Sequence, residues 1–250
     1  MNKKVRINEI KEIFKERVFT SHELYNFYLQ KEPNLKKTTF RWRVYSLKKK
    51  GVIYSIKKGV YLIGNKKIFE PVIPKKLFLI YKKIKSKFPY CDICIWNVNW
   101  LNDFTIHQPI SNNIIIEIDK YAAESIFYFL QTEMENLYLN PNNTEIEKYI
   151  QNGKQNVILK NIIVDSPVEK KRNIIIPKIE KIIVDLFVEK DLFSSYHGEE
   201  LKNIYYEIFN RYSINFSTLK RYANRRNVYL KIEKFLYAEL SLNINKLFIG

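Results

Sequence analysis

The chain has 250 residues, with 43 Lys and Arg against 26 Asp and Glu and a formal net charge of +17. Apolar residues make up 46% of it and aromatics 15%, with only 6 Gly and 8 Pro, which excludes a disordered polymer and suits one large core or two smaller ones. No apolar run approaches the ~20 residues of a membrane span, and the start MNKKVRINEI lacks the apolar stretch of a secretory signal, so a cytoplasmic protein without membrane contact is expected.

The charge is uneven. Residues 1–87 hold 24 Lys/Arg and 6 Asp/Glu, whereas 88–250 hold 19 and 20. A coding bias toward Lys, Asn and Ile would spread the excess along the chain. Its concentration in the first third points to a polyanion partner there.

Ile7, Ile10, Ile13 and Phe14 recur at helical spacing. Thr20 with Glu23 forms a capping box, preceded by Phe19 as the staple, and opens a helix over 21–29 whose Leu24, Phe27 and Tyr28 share a face. KEPNLKK is a loop. A third helix then runs to about Lys49, with Thr38 or Thr39 as its cap and Phe40, Val44 and Leu47 in one stripe. Gly51 stops it. Val52–Ile56 and Val60–Ile63 read as strands joined by Lys57-Lys58-Gly59.

Three helices and a hairpin make the plan of a winged helix-turn-helix. The face of the third helix opposite its apolar stripe carries Thr38, Arg41, Trp42 and Tyr45, which suit base edges in a major groove. Lys36, Lys37, Lys48, Lys49, Lys57 and Lys58 suit phosphates, where counterion release supplies affinity without sequence information. Arg43 falls nearer the core stripe and is expected to brace the helix. The expected partner is double-stranded DNA. A solvated basic surface on a small α+β unit is the plainer alternative.

Glu70–Pro74 reads as a linker, followed by a basic amphipathic helix, Lys75–Lys87, with Leu77, Ile80, Tyr81 and Ile84 as its stripe. From Pro89 strands and helices alternate: CDICIW, WLNDF, NNIIIEI, a helix burying Ala122, Ile126, Phe129 and Leu130, then NLYL, a helix through Glu145–Ile150, and NVILKNIIV. Asp165–Val168 is a turn. After about residue 175 the pattern turns helical: Pro177 takes an N1-like position before a helix burying Ile179, Ile182, Ile183 and Leu186. Further helices cover 199–211, 216–225 (capped by Asn215 or Ser217) and 228–240. The expected fold is α+β, a mixed α/β chain. Residues 1–70 form the winged helix-turn-helix, and 71–250 a second domain with a small mixed sheet at about 75–175 closed by helices at about 176–250.

Chemistry-bearing motifs are sparse. The six glycines make no phosphate-cradling loop, and no nucleophile turn is present. Cys91 and Cys94 sit in a strand-like run without a helix N-terminus to activate them, and the three His (22, 107, 197) are scattered, so structural thiols and no metal or cofactor are expected. Asp92, Glu117 and Asp119 approximate a metal-dependent nuclease or nucleotidyltransferase triad. However, Lys120 falls on the wrong strand face for a nuclease, and no Gly-Ser precedes the acidic pair. Tyr196–Glu200 reads as a Gly turn into a helix with an acidic first turn. Arg221, Arg225 and Arg226 form a small basic cluster, either a solvated helix end or a docking patch.

The run FRWRVYSLKKKGVI…KKGVYL resembles the winged-helix domain of AbiEi-like antitoxins of type IV toxin–antitoxin systems. ICIWNVNWLNDFTIHQP, IIIEIDKYAAESIFYFL, VDSPVE and IPKIEKIIVDLF are similar to the C-terminal portion of that family. The resemblance implies a non-enzymatic bacterial antitoxin that represses its own operon through promoter repeats and counters a nucleotidyltransferase-type toxin through its second domain. The alternatives are a DNA-targeted nuclease or nucleotidyltransferase using Asp92, Glu117 and Asp119, and a regulator whose second domain senses a ligand or dimerises.

Overall fold

Phe19, Thr20 and Glu23 decide how the chain enters its first packed helices. In the computed structural model, which describes residues 5–107, 112–151 and 155–240, helix α1 (Ile7–Ile13) leads to a two-residue strand β1 (Phe19–Thr20). There Thr20 Oγ1 accepts from Glu23 N at 3.1 Å and the Glu23 carboxylate accepts from Thr20 N at 2.7 Å. This reciprocal cap starts α2 (Ser21–Lys31) as expected. α3 (Lys37–Lys49) begins instead with Lys36 at the cap position and no capping side chain, so neither Thr38 nor Thr39 serves; both lie inside the first turn.

The end of α3 follows the glycine. Val52 N donates to Leu47 O at 2.9 Å and Gly51 N to Lys48 O at 3.0 Å, the paired bonds of a Schellman stop, with Gly51 at φ +65°. The chain then forms β2 (Ile53–Lys57) and β3 (Val60–Ile63), and β1 adds to β3 through Phe19↔Tyr61 and Thr20↔Val60. Ile10, Phe14, Phe19, Leu24, Tyr28 and Leu47 are buried in one core. Each such side chain contributes about 1.5–3 kcal/mol by leaving water.

By compactness the chain divides into two units. The first takes residues 5–69 together with 208–221 and 229–240; the second takes 70–207 and 222–228. The division at 69/70 matches the expected linker, but residues 208–221 and 229–240, expected in the second domain, group with the first. Backbone pairing gives the reason: Lys67 N donates to Arg211 O at 2.9 Å, Ser213 N to Lys67 O at 2.8 Å, and Ser213 Oγ to Ser55 O at 3.0 Å.

The second unit is built on a four-stranded sheet. α4 (Lys75–Lys87) buries the expected Leu77, Ile80, Tyr81 and Ile84. β4 (Ile93–Asn97) leads through a 3-10 turn, Val98–Phe104, to β5 (Ile114–Ile118), then α5 (Ala123–Gln131) and β6 (Leu137–Leu139). A short α6 (Asn143–Glu145) running into a π-helical turn precedes β7 (Val157–Asn161). The strand order is β4-β5-β7-β6, antiparallel only between β4 and β5. Ala123, not Ala122, is the buried alanine of α5.

A hairpin of β8 (Val168–Lys171) and β9 (Ile174–Pro177) follows. Its two-residue turn puts both Arg172 (φ 46°) and Asn173 (φ 69°) in the left-handed region, a primed turn made without glycine and therefore silent in the sequence. Pro177 accordingly closes a strand rather than opening the next helix. α7 (Ile179–Val188) is enclosed on every side: Glu180, Lys181 and Asp185 are buried beside the expected isoleucines. α8 (Glu199–Arg211), α9 (Phe216–Arg225), with Asn215 Oδ1 accepting from Thr218 N at 3.1 Å, and α10 (Tyr229–Leu240) complete the described chain. The fold is mixed α/β. Among the described residues no helix is long and apolar enough to cross a membrane. Residues 108 and 109 of the FTIHQP run, and 241–250 of the expected second domain, lie outside the described residues.

Candidate nucleic-acid interface and a buried charge cluster

α3 is held from behind. Phe40, Val44 and Leu47 enter the core, and Arg43, only 3% exposed, donates to Glu32 Oε2 at 2.7 Å while its guanidinium lies 4.7 Å over the Tyr28 ring. Arg43 therefore braces the helix, as its place beside the stripe implied. Burial, the largest influence, and the nearby Glu32 carboxylate push the Tyr28 phenol up to about 12 although Arg43 opposes them, so this phenol stays neutral and donates to Val5 O at 2.7 Å.

The opposite face of α3 is in solvent. Thr38 and Arg41 are exposed, Trp42 is 55% exposed and Tyr45 62%. Lys36, Lys37 and Lys49 are exposed around them. Lys48 is exposed as well, but its Nζ sits 5.0 Å over the Tyr61 ring and partial burial lowers its pKa, so its ammonium also leans on the wing. At the hairpin tip Lys58 is exposed and Lys57 half-buried. The tip is tied back by Ser21 N donating to Gly59 O at 2.6 Å, which sets the wing against the start of α2. All ten expected DNA-contacting residues thus belong to α3, its cap position or the wing of the first unit.

The second unit holds what residue spacing did not reveal. Strand register aligns Cys94, Glu117 and Lys160 abreast on β4, β5 and β7, all on one face, with Trp96, Ile115 and Ile158 in the next row. The other face carries Ile95, Ile114, Ile116 and Leu159, all buried, with Asn97 at its edge. Lys181, Asp185 and Glu189, spaced four residues apart, put a single helical face of α7 and its cap over the polar row. Lys181 Nζ donates to Glu117 Oε1 at 2.6 Å and also to Asp185. Tyr222 OH donates to Asp185 at 2.8 Å, Arg226 pairs with Glu189 at 2.7 Å, and Lys160 pairs with Glu189 at 2.5 Å.

The cluster balances three carboxylates with three cations. Burial opposes the Lys181 charge, yet Asp185 and Glu117 outweigh it and hold its pKa well above the ordinary lysine value. Burial raises the Glu117 carboxyl, with Lys181 opposing. Burial would raise Glu189 as well, but Lys160 and Arg226 hold it below the usual carboxylate range. The Arg cluster of the sequence is thus dispersed: Arg226 joins this network, Arg225 pairs with Asp165 at 2.6 Å, and Arg221 is exposed in the first unit.

The three carboxylates of the enzymatic alternative part company. Glu117 points into the buried cluster. Asp119 Oδ1 accepts from Tyr121 N at 2.8 Å, and with Asp92 it borders an open groove of about 1080 Å³ beyond the ends of β5 and β7. Among the described residues no three His, Cys, Asp or Glu side chains gather as a metal site. Cys91 and Cys94 are free thiols pushed up by burial, the reverse of an activated nucleophile. Gly198, at φ +70°, turns the chain into α8, whose Glu200 carboxylate accepts from Ile106 N at 2.7 Å.

Residues 39–241 match the model of a family described as a family of unknown function, DUF6577. No curated protein matches the chain.

Proposed function

We propose that this chain, which belongs to the DUF6577 family of unknown function, is a cytoplasmic DNA-binding regulator that docks α3 in a major groove and lays its wing along the backbone. One observation carries the reading: on a single helix, Phe40, Val44 and Leu47 are buried while Arg41, Trp42 and Tyr45 stand in solvent among lysines. A helix with a packed inner face and a basic, aromatic outer face has no intramolecular use for the outer one. Arg41 offers a bidentate fork to guanine, Thr38 a hydroxyl, and Trp42 and Tyr45 apolar surface to thymine methyls. Lys36, Lys37, Lys49, Lys57 and Lys58 supply phosphate contacts, with Lys48 a weaker contributor because it already leans on Tyr61.

The biological setting comes from the sequence resemblance to AbiEi-like antitoxins: repression of the chain's own operon, and a second unit that counters a nucleotidyltransferase-type toxin. Fluorescence anisotropy of the full chain on duplexes from its own promoter and on scrambled duplexes tests the first part. Equal affinity for both would sink sequence-specific regulation. Co-expression with the neighbouring gene tests the second, and unchanged growth inhibition by that gene would remove the antitoxin role.

A further inference from the structure

The chain leaves the parallel strands β5 and β7 in opposite directions. After β5 it passes through residues 119–121 into α5 and on to β6, which pairs with the far side of β7. After β7 it passes through residues 161–166 into the β8–β9 hairpin, whose β9 lies against β4. Such a divergence opens a crevice at the carboxyl ends of the strands, the recurrent place for ligands in open α/β sheets. Here it is the groove of about 1080 Å³ bordered by Asp92 and Asp119, with α4 and the hairpin as its further walls. Its size reaches the upper end of small-molecule sites, about 300–1,000 Å³.

The lining narrows the class of ligand. Four lysines contribute to it: Lys82 and Lys85 from α4, Lys120 after β5 and Lys170 from β8. Lys82 and Lys170 are exposed and make no ion pair among the described residues, and Lys120 Nζ lies 4.8 Å over the Tyr121 ring. Lys85 is anchored, donating to Pro89 O at 3.1 Å and to Cys91 O at 2.6 Å. Three aspartates oppose them, but Arg225 already pairs with Asp165 at 2.6 Å, which leaves the groove two cations in excess. That surplus is close to the charge of a phosphate monoester, about −1.5 to −2 at pH 7. Asp92 and Asp119 offer acceptors to hydroxyl or amino groups. Ile93, Ile163, Val168 and Ile175 supply apolar wall, and the Tyr121 ring beside them, 85% exposed, suits a flat ring.

We propose that this groove binds a nucleoside monophosphate. Its phosphate meets Lys82, Lys120 and Lys170, its base lies between the apolar wall and Tyr121, and Asp92 accepts from the sugar or base. A bare phosphate would engage only the lysines, and a triphosphate would outweigh the surplus of positive charge. The inference is independent of DNA binding by α3, since every residue it uses belongs to the second unit.

The test is isothermal titration calorimetry of the full chain with AMP, GMP, CMP and UMP, and with the matching nucleosides and inorganic phosphate alone. At least one nucleotide is expected to bind saturably, with affinity about tenfold or more above that of its nucleoside or of phosphate. Lys82→Gln, Lys120→Gln and Lys170→Gln combined are expected to lower that affinity about tenfold or more. Lys11→Gln, Lys190→Gln and Lys234→Gln combined, at exposed lysines elsewhere, are expected to leave it unchanged. Tyr121→Ala is expected to weaken the nucleotide about fivefold or more without changing the binding of phosphate. The proposal is overturned by no saturable binding of any of the four nucleotides, or by phosphate binding as tightly as the nucleotide. It is overturned equally by an affinity that survives the groove substitutions or Tyr121→Ala, or by equal losses in the two triple variants, which would reduce the effect to net charge.

Discussion

Lys181 Nζ donates to Glu117 Oε1 at 2.6 Å, joining the first turn of α7 to the centre of the sheet across 64 residues of sequence. Both groups are almost fully buried, Lys181 at 1% and Glu117 at 5% exposure. Each is tolerated only because the other is there, since taking either charge out of water alone would cost several kcal/mol.

Lys181→Met is therefore expected to destabilise the second unit by about 3–5 kcal/mol, because it strands two carboxylates in the interior. Urea denaturation measures the loss. Adding Glu117→Gln to the same chain is expected to recover part of it through the coupling of neighbouring sites. A single-mutant loss below about 1 kcal/mol would mean the pair is solvated.

The faces of α3 separate stability from binding. Phe40→Ala should cost about 3–5 kcal/mol by opening the core, whereas Trp42→Ala and Tyr45→Ala should stay within about 0.5 kcal/mol of the parent while weakening DNA binding. Thermal unfolding run beside anisotropy checks both halves. Destabilisation by the exposed aromatics would assign them to packing.

Arg41 and Lys58 separate reading from holding. Arg41→Ala is expected to weaken binding to the preferred duplex by about 1–3 kcal/mol more than to scrambled DNA. Lys58→Ala should lower affinity for both equally and reduce the slope of log K against log salt by about one contact's worth. An unchanged slope removes Lys58 from the backbone, and equal losses remove Arg41 from base readout.

Gly51→Ala addresses the junction of α3 and the wing. At φ +65° an added Cβ is strained and also runs into the Asn65 side chain. A loss of more than about 1 kcal/mol, measured by the unfolding midpoint, is expected. A neutral result would show that the stop tolerates an ordinary residue.

His197 confers a pH dependence. Burial holds its pKa below the usual 6.5 despite the hydrogen bond to Leu186 O at 2.9 Å. The unfolded chain then takes up a proton before the folded one does. The stability it contributes is present above pH 6.5 and is lost as pH falls from there through the lower folded value. The unfolding midpoint should drop between neutral and mildly acidic pH, and His197→Asn should flatten that drop.

Residue spacing was a good guide to several features made by near neighbours, though not to the cap of α3, where Lys36 stands in place of Thr38 or Thr39. The Thr20–Glu23 cap, the Gly51 stop, the stripe of Phe40, Val44 and Leu47 and the extent of α8 rest on residues within about one turn of each other, and a chain read in order contains all of them. The solvent-facing side of α3 was legible for the same reason, since a helix that must bury one stripe exposes the other. The β8–β9 turn was not, because Arg172 and Asn173 adopt positive φ without the glycine that announces such turns.

The sequence by itself determined the local elements, the concentration of positive charge before residue 88 and the outward face of α3. Only the tertiary structure decided that 208–221 and 229–240 group with the first unit, and that Cys94, Glu117 and Lys160 form one row beneath Lys181 and Asp185. In the linear chain nothing joins Glu117 to Lys181 and Asp185, because the cost of burying a charge is met by partners the chain reaches only after folding. For the same reason the groove at the carboxyl ends of β5 and β7 has no signature in spacing: Lys82, Lys120 and Lys170 reach it from segments that are dozens of residues apart.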